Sequence, residues 1–172
     1  MKKFYFLLFA LLLMNFTTLN AQKCKVGKDP ITNESVVTFD YGSRAVYFEY
    51  KGSTIHLEMR FNYNGVYKVI VPKGTELIFK LENGEIIKLP TITDTPPKTD
   101  AATSSSSMYI YTNYCYQMEL TKEQVTKLAD SKVILLRYPD GQGGTLDYTP
   151  KGLGKILTNA INKGANCIKE NF

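Results

Sequence analysis

The chain has 172 residues, of which 44% are hydrophobic and 22% charged, with a formal net charge of +5, one histidine and three cysteines. That length suits one domain with its own core. The charge speaks against nucleic-acid binding, because bases and acids intermix, as in "FEYKGSTIHLEMR" and "ELIFKLENGEIIK", rather than gathering on one face. Three cysteines far apart in sequence and a lone histidine also exclude zinc ligand spacing.

The opening "MKKFYFLLFALLLMNFTTLNAQ" has the layout of an export signal, with Lys2 and Lys3 ahead of an apolar run from Phe4 to Met14 and a more polar stretch ending in Ala21. Cleavage is expected after Ala21, leaving residues 22–172 as a single β-rich domain in the periplasm or outside the cell. The apolar run falls short of the ~20 residues that span a bilayer, so no stable membrane insertion is expected after cleavage. Gln22 and Lys23 stand where a lipoprotein signal has small residues, which argues against a lipid on Cys24. Losing two lysines with the leader lowers the formal charge from +5 to +3. In an oxidising compartment two of Cys24, Cys115 and Cys167 are expected to pair. Among the three arrangements Cys24–Cys167 is favoured, since both lie in terminal segments that need tying down, and Cys115 is then a free thiol.

From Ser35 to Leu89 short runs rich in Val, Ile, Tyr, Phe and Thr alternate with glycine-bearing breaks: "SVVTFDY", "AVYFEY", "TIHLEMRFNY", "VYKVIV", "TELIFKL" and "EIIKL". This is the pattern of an antiparallel meander. Asn64-Gly65 and Asn83-Gly84 predict two-residue type I′ hairpins, which need positive φ at both central positions. Along the third run Ile55, Leu57, Met59, Phe61 and Tyr63 share one face, and His56, Glu58, Arg60 and Asn62 share the other. His56 is therefore expected on the solvated side of a strand rather than as a general base in a desolvated cleft.

Residues 90–107, "PTITDTPPKTDAATSSSS", predict a flexible loop, with three prolines, a serine run and almost nothing to bury. "MYIYTNYCYQMEL" then predicts a long strand returning to the open edge of the meander. Its alternation sets Ile110, Tyr114, Tyr116, Met118 and Leu120 with the apolar face. Tyr109 and Tyr111 point away, as a candidate partner surface. "TKEQVTKLAD" predicts a short helix with a capping box from Thr121 and Gln124, and "KVILLRY" a strand buried on both faces. The glycines of "DGQGG" lack the Lys-Ser/Thr and the following helix of a phosphate loop, so a flexible hairpin loop is expected there. Leu153, Ile156, Leu157, Ala160 and Ile161 recur at helical spacing in the last segment, with Gly164 as its stop signal.

The "NAQ" ending of the leader followed by Cys24, "DPITNES", "KGTELIFKLENGEIIKL" and "YCYQMELTKEQVTKLADSKVILLRY" together resemble a family of small exported β-rich proteins of Bacteroidota. The resemblance implies export and a single β-rich domain, and brings no catalytic residue or cofactor. The fold expected is α+β, mainly β: an antiparallel meander of eight or nine strands, sandwich-like, with a short helix and a C-terminal amphipathic helix packed on it. No catalytic, cofactor-binding or metal motif can be read. The leading functional expectation is a non-enzymatic binding module for a protein or glycan partner in the cell envelope. The alternative is a hydrolase of envelope polymers whose carboxylates converge only in the fold.

Overall fold

The computed structural model describes residues 23–104, 107–151 and 153–172; the expected leader lies outside them. Ten strands and two helices are described: β1 (Lys23–Lys28), β2 (Ser35–Tyr41), β3 (Val46–Lys51), β4 (Thr54–Asn64), β5 (Glu76–Leu81), β6 (Ile86–Pro90), β7 (Lys98–Ser104), β8 (Ser107–Leu120), α1 (Lys122–Asp130), β9 (Val133–Pro139), β10 (Thr145–Tyr148) and α2 (Leu153–Lys169). The fold is α+β and mainly β, with every sheet pairing antiparallel.

Alternation in β4 decides how the core is built. All five odd-numbered apolar residues of the strand are buried. Register places Phe48 of β3, Leu57 of β4 and Met118 of β8 in one row, and Val46, Met59 and Tyr116 in the next, so a single apolar face runs across three strands. Two layers cover that face. The four-stranded sheet β10-β9-β5-β6 meets it through aromatic contacts such as Phe61 on Tyr138, with centroids 4.1 Å apart. Helix α2 lies over Phe39 and Phe48, which its Gly164 approaches closely.

The meander holds for β1 to β4 and then breaks. The larger sheet has the order β1-β2-β3-β4-β8-β7, so the long tyrosine-rich strand does return to the edge of β4, while β5 and β6 belong to the second sheet. The expected strand "VYKVIV" does not form. Side chains capture its backbone instead: Thr112 Oγ1 accepts from Tyr67 N (3.0 Å) and donates to Gly65 O (2.8 Å), and Tyr114 OH donates to Val69 O (2.8 Å). Only Val71 retains a bridge, to Thr95.

The loop expected over residues 90–107 is also corrected. Strand β8 is longer than the stretch β4 can pair, and β7 within that segment supplies partners for residues 107–113 of β8. Its sequence "KTDAATS", polar and small, suits a sheet edge. Upstream, Thr91 bridges Met118 and Ile92 N donates to Gln117 O at 2.9 Å, so the connection runs along β8 rather than away from it.

Neither Asn-Gly pair makes a two-residue type I′ turn. Asn64 ends β4, and Asn83-Gly84 belongs to a three-residue loop in which Gly84 N donates to Leu81 O and Leu81 N to Glu85 O. Positive φ at both central positions falls instead on Ser43 (+53°) and Arg44 (+70°) between β2 and β3. The Thr121–Gln124 capping box forms with both of its bonds. Strand β9 is buried on one face only, leaving Ile134 exposed. Helix α2 passes straight through Gly164 to Lys169, so that glycine permits close packing instead of ending the helix. Cys24 in β1 and Cys167 in α2 form a disulfide, with Cα atoms 5.6 Å apart. No helix among the described residues is long and apolar enough to cross a membrane.

Candidate functional site

The face of the six-stranded sheet opposite the core carries the polar side chains of β3, β4 and β8. Register sets Tyr47, Glu58 and Gln117 in one row and Glu49, His56 and Glu119 in the next. Ile92, held by its bond to Gln117, closes one side, and Arg44 reaches over from the turn before β3. Together with Leu57 these residues, Glu119 excepted, line a hollow of about 260 Å³.

Glu58 is its central feature. On a solvated strand face it would be open to water, but it is only 8% exposed, because Arg44 and the residues around it cover it. Arg44 Nη1 stands 3.5 Å from Oε2 and Arg60 Nη2 3.6 Å from Oε1. Oε1 has no hydrogen-bond partner among the described residues. An unsatisfied buried acceptor of this kind costs about 1–3 kcal/mol.

The arginine that approaches Glu58 is itself strained. A non-glycine residue in the left-handed region costs roughly 1–3 kcal/mol, and the Ser43–Arg44 pair contains two in succession. The turn is held by Ala45 N donating to Gly42 O and by Arg44 N donating to Asp40 Oδ1 at 2.8 Å. Its guanidinium carbon lies 4.6 Å from the centroid of the Tyr47 ring. Tyr47 in turn donates its hydroxyl proton to Glu49 Oε2 at 2.8 Å. Burial and then Glu49 push the Tyr47 phenol up to about 12.

His56 is on the predicted polar face, between Glu49 and Glu119, but the face is not open there. The imidazole is half-buried, lines the hollow and makes no hydrogen bond to another described residue. Beside Glu58 is Cys115, the free thiol. Burial first, and then the Glu58 carboxylate, push it up to about 12, which leaves a protonated and weakly nucleophilic group at neutral pH. A second hollow of about 360 Å³ adjoins the first, sharing Glu49 and His56 and adding Glu34 and Lys51. Lys51 is engaged by Asp29 at 2.6 Å; that pairing and the backbone amides of Thr32 and Ile31 hold the Asp29 carboxyl well below its usual range.

Tyr109 and Tyr111 are not brought to the hollow. They lie toward the projecting end of the β7–β8 hairpin, where Tyr109 opposes Ala102 and Tyr111 opposes Asp100. Tyr109 is exposed together with Met108 and Ile110, while Tyr111 is half-buried. Ile110 shares the parity of the buried set, yet β4 pairs with β8 only from Tyr111 onward, so nothing covers it. Among the described residues no group of three or more His, Cys, Asp or Glu is placed to hold a metal ion.

Sequence reasoning missed Glu58 and Arg44 as site residues. Their facing and their turn could be read locally, but their convergence depends on Ile92 and on a glycine-type turn occupied by Ser and Arg, which no local signal marks. No protein-family model matches the chain, and no curated protein or solved structure matches it either.

Proposed function

We propose that the chain is a non-enzymatic binding module that works in the periplasm or outside the cell. The hollow over Glu58 is its ligand site. The observation that carries this reading is the buried Glu58 carboxylate among the lining residues, which Arg44 and Arg60 approach only at ion-pair distances of 3.5 and 3.6 Å. A ligand rich in N–H or O–H groups would supply donors there, with Glu49, Gln117 and His56 alongside. The disulfide fits an oxidising compartment and supports the location outside the cytoplasm. Tyr109, exposed and with half-buried Tyr111 on the same face of β8, forms a second surface suited to a partner protein.

His56 supplies the test. As the only histidine in the chain it gives one set of imidazole ring signals in a proton–carbon NMR spectrum. Titration with arginine amide, lysine amide, glucosamine and N-acetylglucosamine is expected to shift those signals saturably for at least one probe, and Glu58→Gln to abolish or weaken the response. Unmoved signals with every probe overturn the reading.

A second reading is supported by Glu49 and Glu58 lining the same hollow: hydrolysis of an envelope polymer by paired carboxylates. It expects release of reducing ends from envelope glycan by the wild type and none by Glu58→Gln. The Glu58 environment favours the binding role, since two guanidinium groups flank it and suit it to anchoring.

A further inference from the structure

We propose that the hollow recognises the cationic side chain of a basic peptide segment, and that Arg44 is the built-in competitor occupying that place until the partner arrives. The inference rests on the hollow being a ligand site, as argued above, and adds what the ligand is and what holds the site shut.

The argument starts from what Arg44 touches. Its guanidinium lies over the face of Tyr47 at 4.6 Å and beside Glu58 Oε2 at 3.5 Å. An aromatic face with an adjacent carboxylate is the arrangement that binds a guanidinium or ammonium group. The chain therefore contains a cation site with a cation of its own in it. The fit is incomplete: Arg44 does not come within hydrogen-bond geometry of either carboxylate oxygen, and Oε1 is approached by Arg60 Nη2 at 3.6 Å instead.

Two further observations make Arg44 displaceable. Its side chain is 51% exposed, so it can swing into water without opening the core. Its backbone is held at φ +70°, next to Ser43 at +53°, in a turn that neither residue type favours. Release of the side chain frees a strained turn at the rim and leaves everything beneath in place.

Charge and shape then select the occupant. With Arg44 withdrawn, Glu58 keeps Arg60 at 3.6 Å on Oε1 and is left with Oε2 free of Arg44, beside Glu49 and with Glu34 in the adjoining hollow, against Lys51, which Asp29 already engages. The two hollows adjoin through the shared Glu49 and His56 as one polar trough. An extended segment carrying Lys or Arg fits such a trough. A neutral sugar fits less well, because it leaves the Glu58 and Glu49 carboxylates without a counter-charge and the Tyr47 hydroxyl is already engaged by Glu49.

The test compares the wild type with Arg44→Gly, Arg44→Lys and the double variant Arg44→Gly/Glu58→Gln, using arginine amide and a short Lys/Arg peptide as probes and the His56 ring signals as readout. Glycine accepts the left-handed backbone, so Arg44→Gly removes the competitor while easing the turn. Apparent affinity for both probes is expected to rise about tenfold in Arg44→Gly, as a self-occupied site gains its competent fraction. It is expected to stay near wild type in Arg44→Lys and to be lost in the double variant. Unchanged or weaker binding in Arg44→Gly, full binding in the double variant, or a response to N-acetylglucosamine alone overturns the inference while leaving the hollow as a ligand site. Absence of any response in every variant overturns both.

Discussion

Cys115 shows how far a single side chain's chemistry depends on what folds around it. The chain offers it as the cysteine outside the disulfide, on the polar parity of β8, and both expectations hold. Its burial beside Glu58 is what alternation cannot convey. With the thiol pushed up to about 12, roughly one molecule in ten thousand carries a thiolate at pH 8. The native protein is therefore expected to react very slowly with iodoacetamide. Unfolding without reductant should release one reactive thiol per chain, and unfolding with reductant three, counted by mass spectrometry. His56 and Glu58 teach the same lesson: period two assigns their face correctly, and the cover over that face comes from Ile92 and Arg44, which are brought there by tertiary structure.

At the level of elements, α2 is the clearest case. Its helical spacing is legible, and so is the need to bury its apolar stripe. The role of Gly164 is not, because a glycine near a helix end reads equally as a stop or as a point of close approach, and Phe39 and Phe48 lie more than a hundred residues away. A Cβ at Gly164 would run into both rings. Gly164→Ala gains about 1 kcal/mol of helix propensity and costs about 1–3 kcal/mol in overpacking. A net loss of about 1 kcal/mol is expected as a lower urea midpoint, with unchanged helical circular dichroism. The same limit governs the turns. Asn-Gly is the strongest local signal, yet the longer β4 and the three-residue loop after β5 override it, and Ser43-Arg44 accepts positive φ without any sequence mark. For β7 the composition is that of a loop, and only the unmet ladder of β8 makes it a strand.

For the whole molecule, the mainly β class and the single buried apolar face follow from pattern alone. The division into two sheets does not, because alternation tells that β5 has one buried face and says nothing of whether its neighbour is β4 or β9. Between the layers lies a tyrosine-rich core with a measurable signature. Burial raises the phenols of Tyr63, Tyr114, Tyr116, Tyr138 and Tyr148 above their ordinary value of 10.0. Groups raised on folding give their full stabilisation below the unfolded value and lose it as pH climbs through the folded one. Stability should hold up to about pH 8, decline from there as Cys115 ionises in the unfolded chain around its ordinary 9.0, and fall steeply above pH 10. Tyrosinate absorbance from these five phenols is expected to appear together with loss of structure rather than ahead of it. Asp29 acts oppositely: lowered on folding, its contribution is present above its ordinary 3.8 and disappears as pH falls below that.

The bridge between β1 and α2 spans 143 positions and brings the Cα atoms of Cys24 and Cys167 to 5.6 Å. The backbone between them is thereby a covalent ring, which a protease nicking the projecting hairpin cannot split into separate pieces until a reductant is added.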